Sequence, residues 1–184
     1  LPVEDPEGVM VVDIGGGTTE IAVISLGGMV LNRSLRVAGD ELDEAIINYM
    51  RVRYGMLIGE RSAEDVKIEI GSAHPVGKDD LATVVRGRDL ASGLPKSLKI
   101  TAAEIREALT PIISQIIGSI HEVLEETPPE LLTDIVERGI YLSGGGALLR
   151  GLDKKIAEET KLPVYISDDP LTTVVRGCGE VLNN

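Results

Sequence analysis

Asp13 ends the apolar run Val9-Met10-Val11-Val12 and is followed by Ile14-Gly15-Gly16-Gly17-Thr18-Thr19. Glycines let the backbone take positive φ and aim successive N–H groups at one point, and Thr18 adds a hydroxyl at the same place. Such a nest attracts an anion, but an acid beside it repels one unless a cation stands between them. The combination predicts a phosphate-bearing ligand with Mg²⁺, Asp13 serving as the metal's carboxylate directly or through water. The competing reading is a glycine-rich hairpin with an incidental acid.

A second cluster, Ser143-Gly144-Gly145-Gly146-Ala147-Leu148, comes directly after a predicted strand and before a predicted helix. It lacks the G-x-G-x-x-G spacing of a dinucleotide loop and has no ribose-reading acid about twenty residues on. Close approach of backbone to a base or phosphate, and a turn with glycines for packing, both stay open. Glu64 and Lys67 lie three apart on one face of a predicted helix, so both can reach one ligand or form an exposed surface pair. His74 and His121 have no Cys or second His near enough to form a metal set, and each reads as a solvated or capping residue. Cys178 reads as a small packing residue, and the acids Glu122, Glu125, Glu126 and Glu130 as a solvated helix end.

These groups need a scaffold. Strands are predicted from Val9 to Ile14, Glu20 to Ser25 and Met29 to Val37, joined by tight turns into an antiparallel meander. Asp40 opens an amphipathic helix carrying Leu42, Ala45, Ile46, Tyr49 and Met50. Ser62 is expected to cap a second, short helix that stops at Gly71. A small sheet is expected from Leu81 to Gly87 and Ser97 to Ile100. Thr101 and Glu104 form a capping box at the head of a long helix that Pro111 should bend or restart. Helices at Glu130 to Glu137, Leu148 to Thr160 and Thr172 to Leu182 then alternate with strands at Gly139 to Leu142 and Val164 to Ile166. The fold class expected is α/β: a five-stranded mixed sheet with flanking helices, interrupted by a small α/β insertion.

The 184 residues have room for one sizeable domain with an insertion. With no Phe or Trp and only four Tyr, the core must be aliphatic. A formal net charge of −12 argues against a nucleic-acid partner, which needs clustered Lys and Arg. No stretch approaches the roughly 18 uncharged apolar residues of a membrane span. The single Cys178 fits a reducing, cytoplasmic setting. Because the chain begins at Leu1, the natural start is expected to lie upstream.

The order Asp13-Ile14-Gly15-Gly16-Gly17-Thr18-Thr19-Glu20, Val37-Ala38-Gly39-Asp40-Glu41-Leu42-Asp43, Ser143-Gly144-Gly145-Gly146 resembles the second half of the actin, Hsp70 and sugar-kinase superfamily. Arg33 to Asp40, Gly59 to Lys67 and Val85 to Leu90 are similar to the MreB family of bacterial actin homologues, and the likeness extends over essentially the whole chain. It implies an actin-like, ribonuclease H-like domain, with residues 1–37 and 110–184 as subdomain IIA and 38–109 as the inserted subdomain IIB. It implies ATP or ADP with Mg²⁺ as cofactors. Asp13 would organise the metal and the attacking water, Gly15, Gly16 and Gly17 would meet the β- and γ-phosphates, and Thr18 would help place the water. Glu64 and Lys67 would face ribose and adenine, and Gly144, Gly145, Gly146 and Ala147 would line the adenine side.

The superfamily's first phosphate loop, its first interdomain connection and its closing helix have no match here, so the chain looks like domain II of a larger parent. The resemblance implies filaments of like subunits that organise cell-wall synthesis, and contact through IIA with the adaptor RodZ and the elongation machinery. Membrane contact at the inner face of the cell membrane would be made by the parent's other half. Phosphoryl transfer needs groups on both sides of the phosphates, so ATP hydrolysis is expected of the whole protein and not of this chain alone. The alternatives are an Hsp70-like nucleotide lobe, a small-molecule kinase, and an interaction domain that keeps the fold without a nucleotide.

Overall fold

The computed structural model describes residues 7–75, 77 and 81–183. The chain divides into two compact units. Unit 1 takes the residues up to Gly39, Gln115–Leu148 and Leu152–Asn184; unit 2 takes Asp40–Ser114 and Leu149–Gly151.

Unit 1 is built on a mixed five-stranded sheet. β1 (Val9–Ile14), β2 (Thr19–Ser25) and β3 (Gly28–Leu35) form the expected meander, and β7 (Ile140–Ser143) and β8 (Val164–Ile166) add to its other side, giving the order β3-β2-β1-β7-β8. β1 pairs antiparallel with β2 and parallel with β7. Its central place explains why Val9, Met10, Val12 and Ile14 are all fully buried: both faces of the strand are covered. The β2–β3 turn puts both Leu26 and Gly27 at positive φ, as the twist of a tight hairpin requires. Arg33 on β3 is paired with Glu122 and Glu126, so part of the expected solvated acidic run ties a helix to the edge strand.

That helix, α3 (Ala102–Glu126), is continuous through Pro111; its residues up to Ser114 belong to unit 2 and those from Gln115 to unit 1. The expected restart at Pro111 does not occur. The buried series Ile105, Leu109, Ile113, Ile116 and Ile120 runs unbroken past the proline, and burying that stripe outweighs one lost ladder bond. Unit 1 is completed by α4 (Pro129–Arg138), α5 (Leu152–Thr160) and α6 (Thr173–Asn183). α5 begins later than expected, because Gly145–Leu148 form a short 3₁₀ turn and Gly151 takes positive φ.

Unit 2 holds α1 (Gly39–Tyr54), α2 (Glu60–Ile70) and a three-stranded sheet of β4 (Met56–Leu57), β5 (Ala82–Asp89) and β6 (Pro95–Thr101). β4 has too few residues for periodicity to reveal it. Gly59 rather than Ser62 caps α2; Ser62 sits inside the first turn. At the β5–β6 turn, Lys96 and then Ser92 hold the Asp89 carboxyl down to about 2.

The capping box forms as expected. The Thr101 amide donates to Glu104 Oε2 at 2.9 Å, and the Glu104 amide donates to Thr101 Oγ1 at 3.4 Å. Thr101→Ala is therefore expected to lower stability by about 1 kcal/mol, measured by urea denaturation. An unchanged midpoint would mean that the cap contributes nothing in this context.

Candidate functional site

β1 ends at Asp13-Ile14 and β7 ends at Ser143, and in the parallel register Asp13 stands directly opposite Ser143. The Ser143 hydroxyl donates to Asp13 Oδ1 at 2.6 Å. Ser143 is 2% exposed and Asp13 is half-buried, with no hydrogen bond to Oδ2 among the described residues. Glycine turns follow both strand ends, so two turns lie beside one carboxylate.

The first turn differs in detail from the expectation. Gly15, Gly16 and Gly17 do not take positive φ. The Gly15 N–H, expected to meet a phosphate, donates to the Thr18 carbonyl at 2.9 Å, because closing a link between adjacent strands takes up that amide. Gly16, Gly17 and Thr18 are exposed at the tip. Two residues missed in the sequence brace the loop. The Gly39 amide donates to the Gly15 carbonyl at 3.1 Å, and the buried Thr19 hydroxyl donates to the Val37 carbonyl at 2.7 Å. A Cβ on Gly39 would lie 3.2 Å from the Gly15 oxygen, so glycine there permits the close approach.

In the second turn positive φ is found at Gly144, at 80°. A side chain there would come within 2.7 Å of the Ile14 carbonyl carbon, and one on Gly146 within 2.7 Å of Ile14 Cβ. These glycines let the second turn close onto the end of β1, which is the packing role left open above. The Gly144 amide donates to Pro170, and Ala147 is fully buried with its amide donating to Gly144. Ala147 therefore points into the fold, away from the ligand-facing position expected of it. Of this cluster, Gly145 is exposed.

Glu64 and Lys67 belong to unit 2. Glu64 is exposed on α2. Lys67 is turned to Asp43 of α1: its Nζ donates to Oδ2 at 2.9 Å and stands 2.9 Å from Oδ1, at an angle that completes no second hydrogen bond. Burial raises the Asp43 pKa, Lys67 opposes the rise, and nearby Glu64 and Asp40 add to it. Helical spacing places Lys67 beside Glu64 but contains no sign of Asp43, which lies 24 residues away.

Among the described residues, no group of three or more His, Cys, Asp or Glu side chains is placed to hold a metal, and no helix is long and apolar enough to cross a membrane.

The profile of the family described as MreB/Mbl protein matches residues 1–184. The cell shape-determining protein MreB of Escherichia coli strain K12 is 54% identical over 182 residues, 99% of this chain and 52% of that protein. The crystal structure of MreB 5 of Spiroplasma citri bound to AMPPNP matches with a TM-score of 0.96 at 43% identity, over 100% of this chain and 55% of that one. The same Spiroplasma protein is also known bound to ADP. A MamK double helical filament matches with a TM-score of 0.78 at 25% identity, over 96% of this chain and 54% of the filament subunit. The chain spans about half the length of the curated relatives it matches, and its fold is actin-like. The chain belongs to the MreB/Mbl family.

Proposed function

We propose that this chain is the C-terminal part of a nucleotide-binding, cell shape-determining filament protein, and that ATP or ADP binds at the paired turns of unit 1. The observation that carries the reading is the meeting of both glycine turns with Asp13 at the carboxyl ends of parallel β1 and β7. Ligands of open α/β sheets lie in such places. The nucleotide-bound Spiroplasma relative supports it. Unit 1 would correspond to the IIA core, and residues 38–109 to the inserted IIB.

The residues fit Mg²⁺. This ion keeps several waters and takes one or two carboxylates together with phosphate oxygens, so it needs no cage. Asp13, half-buried and with no hydrogen bond to Oδ2 among the described residues, suits that role. When bound, the ion would neutralise phosphate charge. The exposed amides of Gly16 and Gly17 would meet phosphate oxygens, and the Thr18 hydroxyl would orient a water. Gly145 offers exposed backbone on the nucleoside side; a ribose-facing role for Glu64, in unit 2, rests on the family resemblance alone. Lys67 would act chiefly through Asp43. The chain by itself would bind without turning ATP over, since groups from the rest of the parent would complete the phosphate contacts. Self-association into filaments, which the MamK relative makes, is proposed together with docking of RodZ on IIA and membrane attachment through the parent's other half.

Calorimetric titration of Mg-ATP into this chain tests the reading. Asp13→Ala should weaken binding about tenfold, as loss of a metal-organising carboxylate does. Glu64→Ala should weaken it several-fold, by about 1 kcal/mol for a lost hydrogen bond. Binding that ignores Asp13→Ala would overturn the assignment.

A further inference from the structure

We infer that Ser143 is a positioning residue: its hydroxyl holds the Asp13 carboxylate so that Oδ2 faces a nucleotide-bound divalent cation with its full negative charge. The inference rests on the nucleotide reading above and adds a residue to it. In the parallel pairing of β1 with β7, Asp13 and Ser143 are partners in register, so their side chains leave the sheet on the same face. Ser143 is 2% exposed, and its hydroxyl has one proton to give. That proton goes to Asp13 Oδ1 over 2.6 Å.

The choice of donor matters because it is neutral. An ammonium or guanidinium at this place would orient the carboxylate equally well but would compete with a cation for its charge. The same chain shows that alternative: Asp43 is paired with Lys67 at 2.9 Å, and the ammonium takes up part of its charge. Asp13 has a hydroxyl, which fixes the plane of the carboxylate and leaves the charge available. Carboxylates that ligate metals are commonly oriented by such hydrogen bonds, and losing one lowers metal affinity about 10- to 100-fold.

The test compares affinity of the full 184-residue chain for ATP in excess Mg²⁺ and in EDTA, by calorimetry. The ratio of the two dissociation constants isolates the metal's share of binding. Ser143→Ala, and the near-isosteric Ser143→Cys with its weak donor, should each reduce that ratio about tenfold and leave binding in EDTA unchanged. Ser143→Thr, which restores the hydroxyl, should recover the ratio to within about twofold of the parent chain. Circular dichroism shows which variants are folded. If Asp13→Ala abolishes the metal advantage while Ser143→Ala and Ser143→Cys keep it, the positioning role is overturned and the nucleotide reading stands. If the serine variants lose affinity equally with and without metal, Ser143 only packs, and the inference is again overturned. If Asp13→Ala leaves the ratio untouched, the nucleotide reading fails, and this inference fails with it.

Discussion

Gly144→Ala should destabilise the chain by about 3 kcal/mol or more, adding a left-handed backbone penalty of about 1–2 to an overpacking term of about 1–3 kcal/mol. Gly144 has φ near 80°, and its new methyl would press on the carbonyl of Ile14. A backbone carbonyl in a central strand cannot swing aside as a side chain would. Gly146→Ala meets the Ile14 side chain itself, which is fully buried and has little room to move, so a loss of about 2 kcal/mol is expected. Gly145→Ala is the control. Its nearest neighbour is a Leu171 methyl at 3.3 Å on an exposed side chain, so stability should change by less than about 0.5 kcal/mol. Urea denaturation of the three variants checks the ordering, and equal effects at all three positions would sink the account of close turn packing. Because both glycines seat the second turn against the end of β1, their substitution should also disturb the Asp13–Ser143 pair and any ligand held there.

Lys67→Met is expected to cost about 2 kcal/mol at neutral pH. Breaking a fully buried ion pair costs about 3–5 kcal/mol, and the partial exposure of this pair lowers the figure. The direction with pH follows from Asp43. Its folded-state pKa is raised, chiefly by burial, so the native chain binds the proton more tightly than the unfolded chain does. Its charge therefore opposes folding above the folded pKa, and that opposition fades as pH falls through the raised value towards the ordinary carboxylate range. Removing Lys67 takes away the main group holding the pKa down, so it should rise further. The deficit of Lys67→Met should accordingly shrink in acid, and Asp43→Asn in the same chain should recover most of it at neutral pH. Denaturation midpoints from pH 4 to 8 test this. A deficit that is the same at every pH would show that Lys67 acts through its aliphatic stem instead of through Asp43.

The second prediction also bears on ligand binding. The family resemblance assigns Lys67 to the nucleoside, whereas its ammonium is committed to Asp43 at 2.9 Å. If Lys67→Met weakens nucleotide binding only as far as it destabilises unit 2, the lysine supports the site at one remove. Glu64, exposed and one helical turn away, is then the α2 residue whose Glu64→Ala variant tests for direct contact.

What could be read from the sequence was whatever short-range chemistry decides. β1 and β8 fall where their apolar runs predict, and Thr101 and Glu104 close their capping box, because strand alternation and capping depend on residues within a few positions of each other. The two glycine clusters were visible as turns for the same reason. Their packing was not, since Gly144 owes its necessity to Ile14, which is brought near by parallel pairing of strands about 130 residues apart. The same pairing puts Ser143 on Asp13, and nothing in the spacing of either residue announces it. Gly39 and Thr19 brace the first turn through backbone oxygens, which no side-chain pattern encodes. Pro111 shows the reverse case: a local breaker overruled by the continuous apolar stripe that α3 buries. The sequence by itself determined most of the longer elements, the glycine turns and the residue types beside them. Only the tertiary structure decided which amide, hydroxyl and carboxylate face one another, because those contacts join segments whose only relation is that burying the aliphatic core brings them together.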